Sequence, residues 1–168
     1  MQKQKSDARF MALALSLGRR GMGRVWPNPA VGCVIVRDGV IVGRGRTADG
    51  GRPHAETEAL CQAGDKARGA TAYVSLEPCS HHGKTPPCAN ALIDAGIAEV
   101  VVATGDPNPQ VSGAGIAMLE AAGIAVRMGI LKEQADADHA GFFLTQTRGR
   151  PYITLKLATT LDGHIATT

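Results

Sequence analysis

The sequence is poor in aromatic residues, with one Trp, two Tyr and three Phe among 168 positions, and it has no apolar run near the ~20 residues that a membrane-crossing helix needs. It also lacks low-complexity tracts and blocks of like charge, which removes the compositional basis for a disordered tail. Positive charge is not spread along the chain. Six basic residues against Asp7 give +5 over residues 1–24, leaving −2 for the remainder of a formal +3. Without a basic stripe or interleaved aromatics, the chain does not read as a dedicated nucleic-acid binder, although one electropositive edge for an anionic small molecule stays open. These absences leave one soluble domain of ordinary size, with neither a membrane nor a nucleic acid expected as partner. Self-association is left open.

What is abundant is glycine, 21 residues, implying many tight turns or close backbone approaches. Cysteine is limited to Cys33, Cys61, Cys79 and Cys88. The apolar run Met11 to Leu17 follows Lys3 and Lys5 as in a secretory leader, but Arg19, Arg20 and Arg24 stand where a small-residue cleavage site belongs. An N-terminal amphipathic helix is the better reading. A reducing cytoplasm then favours metal or catalytic roles for cysteine over any of the three possible disulfide pairings.

Ser6 is placed to cap that helix, whose apolar residues Phe10, Met11, Ala14, Leu15 and Leu17 recur at spacings of three and four and run out near Gly18. Ala30 to Val36 reads as a strand, Asp38-Gly39 as a tight hairpin turn and Val40 to Gly43 as the return strand. A glycine-rich loop (Gly43, Gly45, Gly50, Gly51) leads to a helix starting near Pro53 and carrying His54, Glu56 and Leu60. Strands are then expected at Ala70 to Leu76, Glu99 to Ala103 and Ala125 to Met128. Helices are expected around Cys88 to Ala95, Ile116 to Ala122 and Leu131 to Phe143. The alternation indicates a layered α/β domain with parallel pairs.

His54-Ala55-Glu56, with Cys79 and Cys88 further on, carries the chemistry. Two thiolates and an imidazole are three ligands for zinc, and a three-ligand site leaves a fourth position open for water. Zinc brings the pKa of such a water towards ~7. Glu56, two residues from the first ligand and not itself one, is placed to take and return protons. The alternative is a structural site, with His81 or His82 as the fourth protein ligand. Against it, Pro78 directly before Cys79 completes the His-x-Glu and Pro-Cys signature of zinc deaminases.

The segment from Glu77-Pro78-Cys79 through His81-His82-Gly83-Lys84-Thr85-Pro86-Pro87 to Cys88 puts eight residues between the cysteines. With Pro27-Asn28-Pro29, Pro53-His54-Ala55-Glu56 and Gly105-Asp106-Pro107-Asn108-Pro109, it resembles the diaminohydroxyphosphoribosylaminopyrimidine deaminases of the riboflavin pathway over about residues 8–145. That resemblance implies a three-layer α/β/α cytidine deaminase-like fold with a mixed five-stranded sheet. It implies His54, Cys79 and Cys88 on zinc, with Glu56 as proton shuttle. The substrate would be a phosphoribosylated diamino-pyrimidinone losing its 2-amino group as ammonia, Glu56 protonating N3 and then the leaving amine.

Substrate contacts carry over less directly. Asn28 is expected at the pyrimidine edge, or else as an Asx-turn residue. Lys84 is expected at the phosphate or ribose, or else as a solvated loop lysine. Asp106 and Asn108 lie where a strand ends, the usual ligand edge of an α/β sheet, or form a turn. His81 is expected to orient substrate or the loop. Thr47, expected to hydrogen-bond the substrate, stands where many family members have a histidine; the imidazole contact is lost, so ribose or phosphate recognition is arranged differently. Cys33 and Cys61 read as small core residues.

The last segment, with Ile153, Leu155, Leu157 and Leu161-Asp162-Gly163, resembles the opening strand and turn of the NADPH-binding reductase domain that follows the deaminase in bifunctional members. The expected division is therefore 1–148, a zinc-dependent deaminase domain, and 149–168, the start of a truncated reductase domain; the alternative is a remnant tail on a stand-alone deaminase. Two competing functions remain: deamination of another small base or nucleotide, and a zinc-stabilised, non-catalytic binding module. Glu56 argues against the second.

Overall fold

A computed structural model describes residues 2–83, 85–108 and 112–165. Its elements in chain order are α1 (Gln2–Arg19), β1 (Gly32–Arg37), β2 (Val40–Arg46), α2 (Ala55–Ala63), β3 (Thr71–Val74), α3 (Cys88–Asp94), β4 (Glu99–Val102), α4 (Ala114–Ala121), β5 (Ala125–Met128) and α5 (Lys132–Arg148). The five strands form one sheet in the order β2-β1-β3-β4-β5. β1 is antiparallel to both β2 and β3, while β3, β4 and β5 run parallel, as crossovers through α3 and α4 require. Asp38 (φ 52) and Gly39 (φ 76) both adopt the left-handed conformation of a two-residue hairpin whose twist matches its strands.

Alternation along the strands divides the core into two layers. Cys33, Ile35, Ala72, Val74, Val100 and Val102 face α2, α3 and α4; Val34, Val36, Tyr73 and Val101 face α1 and Ala135 of α5. The chain thus adopts the expected three-layer arrangement around a mixed five-stranded sheet. Two positions explain much of the glycine. A Cβ on Gly32 would lie 1.9 Å from the Ala14 carbonyl oxygen, and one on Gly45 would lie 2.1 Å from that of Ala55, so helix backbones rest directly on the sheet. In the α1 layer, buried Asp7 accepts from the Tyr73 hydroxyl (2.6 Å) and from Arg127 (2.8 Å), which also bonds Glu99. The buried charge is paired, as it must be.

Several boundaries differ from expectation. α1 begins at Gln2, so Ser6 lies inside the helix rather than capping it. Gly43 and Gly45 belong to β2, because α2 needs close approach there rather than a loop. Pro53 stands outside α2, whose N-cap is His54. α5 continues to Arg148, where Gly149 in the left-handed conformation donates back to Thr145 O and stops it. Cys61 is exposed, not core: α2 buries positions 55, 56, 59 and 63, and 61 falls on the opposite side. Residues 149–165 form no strand; Ile153, Leu155 and Leu157 are exposed there with no neighbouring strand to pair with. Among the described residues, no helix is long and apolar enough to cross a membrane.

Candidate active site

Three connections on the α2–α4 side bring the chemistry together. His54 is the N-cap of α2, in extended backbone conformation (φ −75°, ψ 160°). Cys79 follows β3 after Leu76-Glu77-Pro78, and Cys88 is the first residue of α3. His54 Nδ1 lies 3.3 Å from Cys88 Sγ and 3.7 Å from Cys79 Sγ, and all three donor atoms fall within 4.8 Å of one another. Zinc with a sulfur at ≈ 2.3 Å and a nitrogen at ≈ 2.0–2.1 Å in tetrahedral geometry would set those two atoms about 3.6 Å apart. The donor set and its spacing therefore fit zinc.

The Cys88 backbone N–H donates to Cys79 Sγ (3.3 Å), and Ala89 N–H to Cys79 O (3.2 Å), so the start of α3 fixes the first cysteine. Hydrogen bonding from the Cys88 thiol, and then from His54, pulls Cys79 down to about 4 against the opposing effect of burial. Cys88 moves the other way, raised by its hydrogen bond to Cys79, by burial and by the charge of Glu56. His54 is raised by its hydrogen bond with Cys79. Glu56, one residue into α2 and 4% exposed, is pushed up to about 7, first by burial and then by the charge of Cys79.

These residues line a cavity of about 290 Å³. Its walls include Asn28, Thr47, His54, Glu56, Cys79, His81, Asp106 and Asn108, so the structure gathers all but two of the residues singled out from sequence. Cys88 is buried and does not line the cavity, and Lys84 lies outside the described residues. Asn28 Nδ2 donates to Gly51 O (2.6 Å) and sits 3.1 Å from His54 Nε2, leaving Oδ1 without a protein partner among the described residues. Thr47, 2% exposed, donates to Pro29 O (2.9 Å) and accepts from Val31 N–H (3.0 Å), so its hydroxyl pins the turn that carries Asn28. Asp106 Oδ1 accepts from Asn108 N–H (2.8 Å), a turn-forming bond, and burial raises its carboxyl. His81 is exposed at the cavity wall, and Cys33 is fully buried in β1.

The further lining residues, none given a site role from sequence, include Arg52, Glu77, Phe142 and Gln146. Glu77, 5% exposed, accepts from Gly113 N–H (3.1 Å) and Gly115 N–H (3.1 Å), with a longer contact from Asp106 N–H (3.4 Å). It thereby fastens the segment bearing Asp106 to the one bearing Cys79. Its place beside Pro78-Cys79 was the available signal; Phe142 and Gln146 are reached only because α5 passes the cavity.

The model of the family described as "Cytidine and deoxycytidylate deaminase zinc-binding region" matches residues 4–104. The riboflavin biosynthesis protein RibD of Escherichia coli (strain K12) is 55% identical over 160 residues, 95% of this chain and 44% of that protein. Among solved structures, RibD of Acinetobacter baumannii (form 1) superposes with a TM-score of 0.89 at 50% identity, covering 95% of this chain and 45% of that one. The diaminohydroxyphosphoribosylaminopyrimidine deaminase/5-amino-6-(5-phosphoribosylamino)uracil reductase of Thermotoga maritima gives 0.91 at 46% identity, over 98% of this chain and 48% of that one. The chain spans less than half the length of each of these relatives. With His54, Cys79 and Cys88 converging as a zinc deaminase requires and the family model spanning more than half of the residues, the chain belongs to the cytidine and deoxycytidylate deaminase zinc-binding family.

Proposed function

We propose that the chain is the zinc-dependent deaminase of the riboflavin pathway, converting 2,5-diamino-6-(5-phosphoribosylamino)pyrimidin-4(3H)-one to 5-amino-6-(5-phosphoribosylamino)uracil and ammonia. The observation that carries this reading is the convergence of His54 Nδ1 and two cysteine sulfurs within 4.8 Å, beside buried Glu56 and against a cavity of pyrimidine scale. Identity of about half to RibD proteins supports the substrate class.

His54, Cys79 and Cys88 would hold the ion. Zinc, when bound, supplies a water acidified to near-neutral pKa. Glu56 would take one proton from the attacking water and pass it to the unprotonated ring nitrogen beside C2, then take the water's second proton and deliver it to the 2-amino nitrogen, so that the C–N bond breaks with loss of ammonia as C2=O forms. Asn28 offers Oδ1 to a ring-edge donor, held in place by Gly51 O and by the turn that Thr47 pins. Asp106 and Asn108, just past the end of β4, and His81 border the rest of the ring and its substituent. Residues 149–165, whose apolar side chains are exposed, would belong with the reductase activity that the name of the Thermotoga maritima relative also prints rather than with the deaminase.

Ammonia release from the zinc-loaded chain is measured on the diamino-pyrimidinone ribotide, cytidine, adenosine and guanine. Release from the ribotide alone is expected. Faster release from cytidine or another base, or none from the ribotide, overturns the assignment.

A further inference from the structure

The cavity has one guanidinium on its wall, and no step above uses it. Arg52 is half-buried, two residues before His54, so its Cα lies within roughly 7 Å of that of the metal-binding histidine. Other arginines nearby are already committed: Arg46 and Arg24 both pair with Asp49. Among the described residues no carboxylate lies within ion-pair distance of Arg52. Its hydrogen-bond partner is a neutral hydroxyl, Thr85 Oγ1, at 2.5 Å. Nη2 points at Gly83, where an added Cβ would sit 3.2 Å away, so the group faces the exposed loop between the two cysteines.

A guanidinium carries five donors in a fork suited to phosphate, and Thr85 engages one nitrogen of it. The cavity's carboxylates are turned elsewhere: Glu77 is taken up by backbone N–H groups, Asp106 bonds Asn108, and Glu56 is at the reacting end. The reacting edge of the ring must face the His54/Cys79/Cys88 cluster, so a phosphate on the ring's substituent must lie towards the mouth. Among the described residues that line the cavity, Arg52 is the one with a permanent positive charge. Thr47 is not available for that task, because its hydroxyl is spent on Pro29 and Val31.

We propose that Arg52 is a specificity-determining residue that recognises the 5-phosphate of the substrate, with Thr85 holding the guanidinium in its binding orientation. This rests on the deaminase reading and deepens it. Binding to the zinc-loaded chain is measured by calorimetry for the uracil ribotide product and for its dephosphorylated form, alongside ammonia release from the substrate. In Arg52→Gln the affinity for the phosphorylated form is expected to fall about ten- to a hundredfold, the scale of charged hydrogen bonds, while the dephosphorylated form binds as before. Arg52→Lys recovers part of the loss and guards against a folding defect. Equal weakening of both forms would mean that Arg52 only clamps the loop, and the proposal falls. It also falls if the phosphate preference survives in Arg52→Gln, or is lost only in Lys84→Ala. A phosphate preference that Arg52→Gln abolishes, in a chain that releases no ammonia, upholds the proposal and refutes the deaminase reading instead.

Discussion

Replacing Gly115 with alanine tests how tightly the metal-binding segment is set by its neighbours. Gly115 is the second residue of α4, and a Cβ there would lie 2.0 Å from Pro78 O and 3.1 Å from Pro78 C. Both are backbone atoms, which no rotamer change can move. Reaching the 3.4 Å of an ordinary contact requires the two segments to part by about 1.4 Å. That separation stretches the Gly115 N–H to Glu77 bond (3.1 Å) past any useful length. Overpacking costs about 1–3 kcal/mol and a lost hydrogen bond to a carboxylate about 1.5–3, against a helix-propensity gain of up to about 1. The net is a loss of roughly 2–4 kcal/mol, which for a chain of this size lowers the melting temperature by roughly 5–15 °C.

Because Pro78 adjoins Cys79, the same displacement should lower zinc content. Scanning calorimetry with metal analysis reads both quantities. Gly141→Ala is the matched control: its Cβ would meet only the Tyr152 side chain at 3.6 Å, and in mid-helix it is expected to leave stability unchanged or raise it by about 0.5–1 kcal/mol. A Gly115→Ala chain that melts with its parent and holds a full complement of zinc would refute the packing argument.

Metal analysis should find about one zinc per chain; chelation should lower both melting temperature and ammonia release, with zinc restoring both, and full activity in metal-free protein would exclude the metal centre. Glu56→Gln should keep its zinc and lose at least ~10²-fold in turnover; undiminished turnover would mean that another group moves the proton. His139, 2% exposed in α5 with Nε2 lacking a partner among the described residues, has its pKa lowered, by burial first. Its folded pKa thus lies below the unfolded value of about 6.5, the unfolded chain binds the extra proton, and stability is lost as pH falls through that interval. His139→Leu should lose less stability than the parent between about pH 7.5 and 5.5 in denaturant titrations, and parallel losses would remove His139 as the cause.

Legibility from sequence followed the range of the interactions. His54, Glu56, Cys79 and Cys88 stood out because their chemistry is written in short motifs, and the structure brings them together. The Asp38-Gly39 hairpin was equally local. Thr47 lines the cavity as expected of a substrate contact, while its hydroxyl also bonds Pro29 and Val31, respectively 18 and 16 positions away, a pairing no local pattern encodes. Glu77 binds Gly113 and Gly115 across 36 and 38 positions, so its task was hidden although its motif was in view. Gly43 and Gly45 looked like loop residues because glycine signals turns by default; here it admits a helix backbone against a strand. Cys61 is different, because the three-and-four spacing of the buried α2 positions already placed it on the outer side.

The electrostatics of the cluster favour the proposed catalytic centre over a structural staple. Hydrogen bonding between the two cysteines pulls Cys79 down and pushes Cys88 up, so of the two thiols Cys88 holds its proton the more tightly. Cys88 must shed that proton to ligate, and His54 must be neutral at Nδ1, which makes zinc affinity fall with acidification. Glu56 is subject to the opposite pressure. Burial and the adjacent sulfur raise it towards neutrality, and its carboxylate is not among the three converging donors. A structural site would draw a fourth side chain onto the ion and leave none free to exchange protons. Here a cavity adjoins two of the three donors, and in the metal-free cluster burial first pushes the Glu56 carboxyl up to about 7, as a proton-exchanging group in the proposed reaction requires.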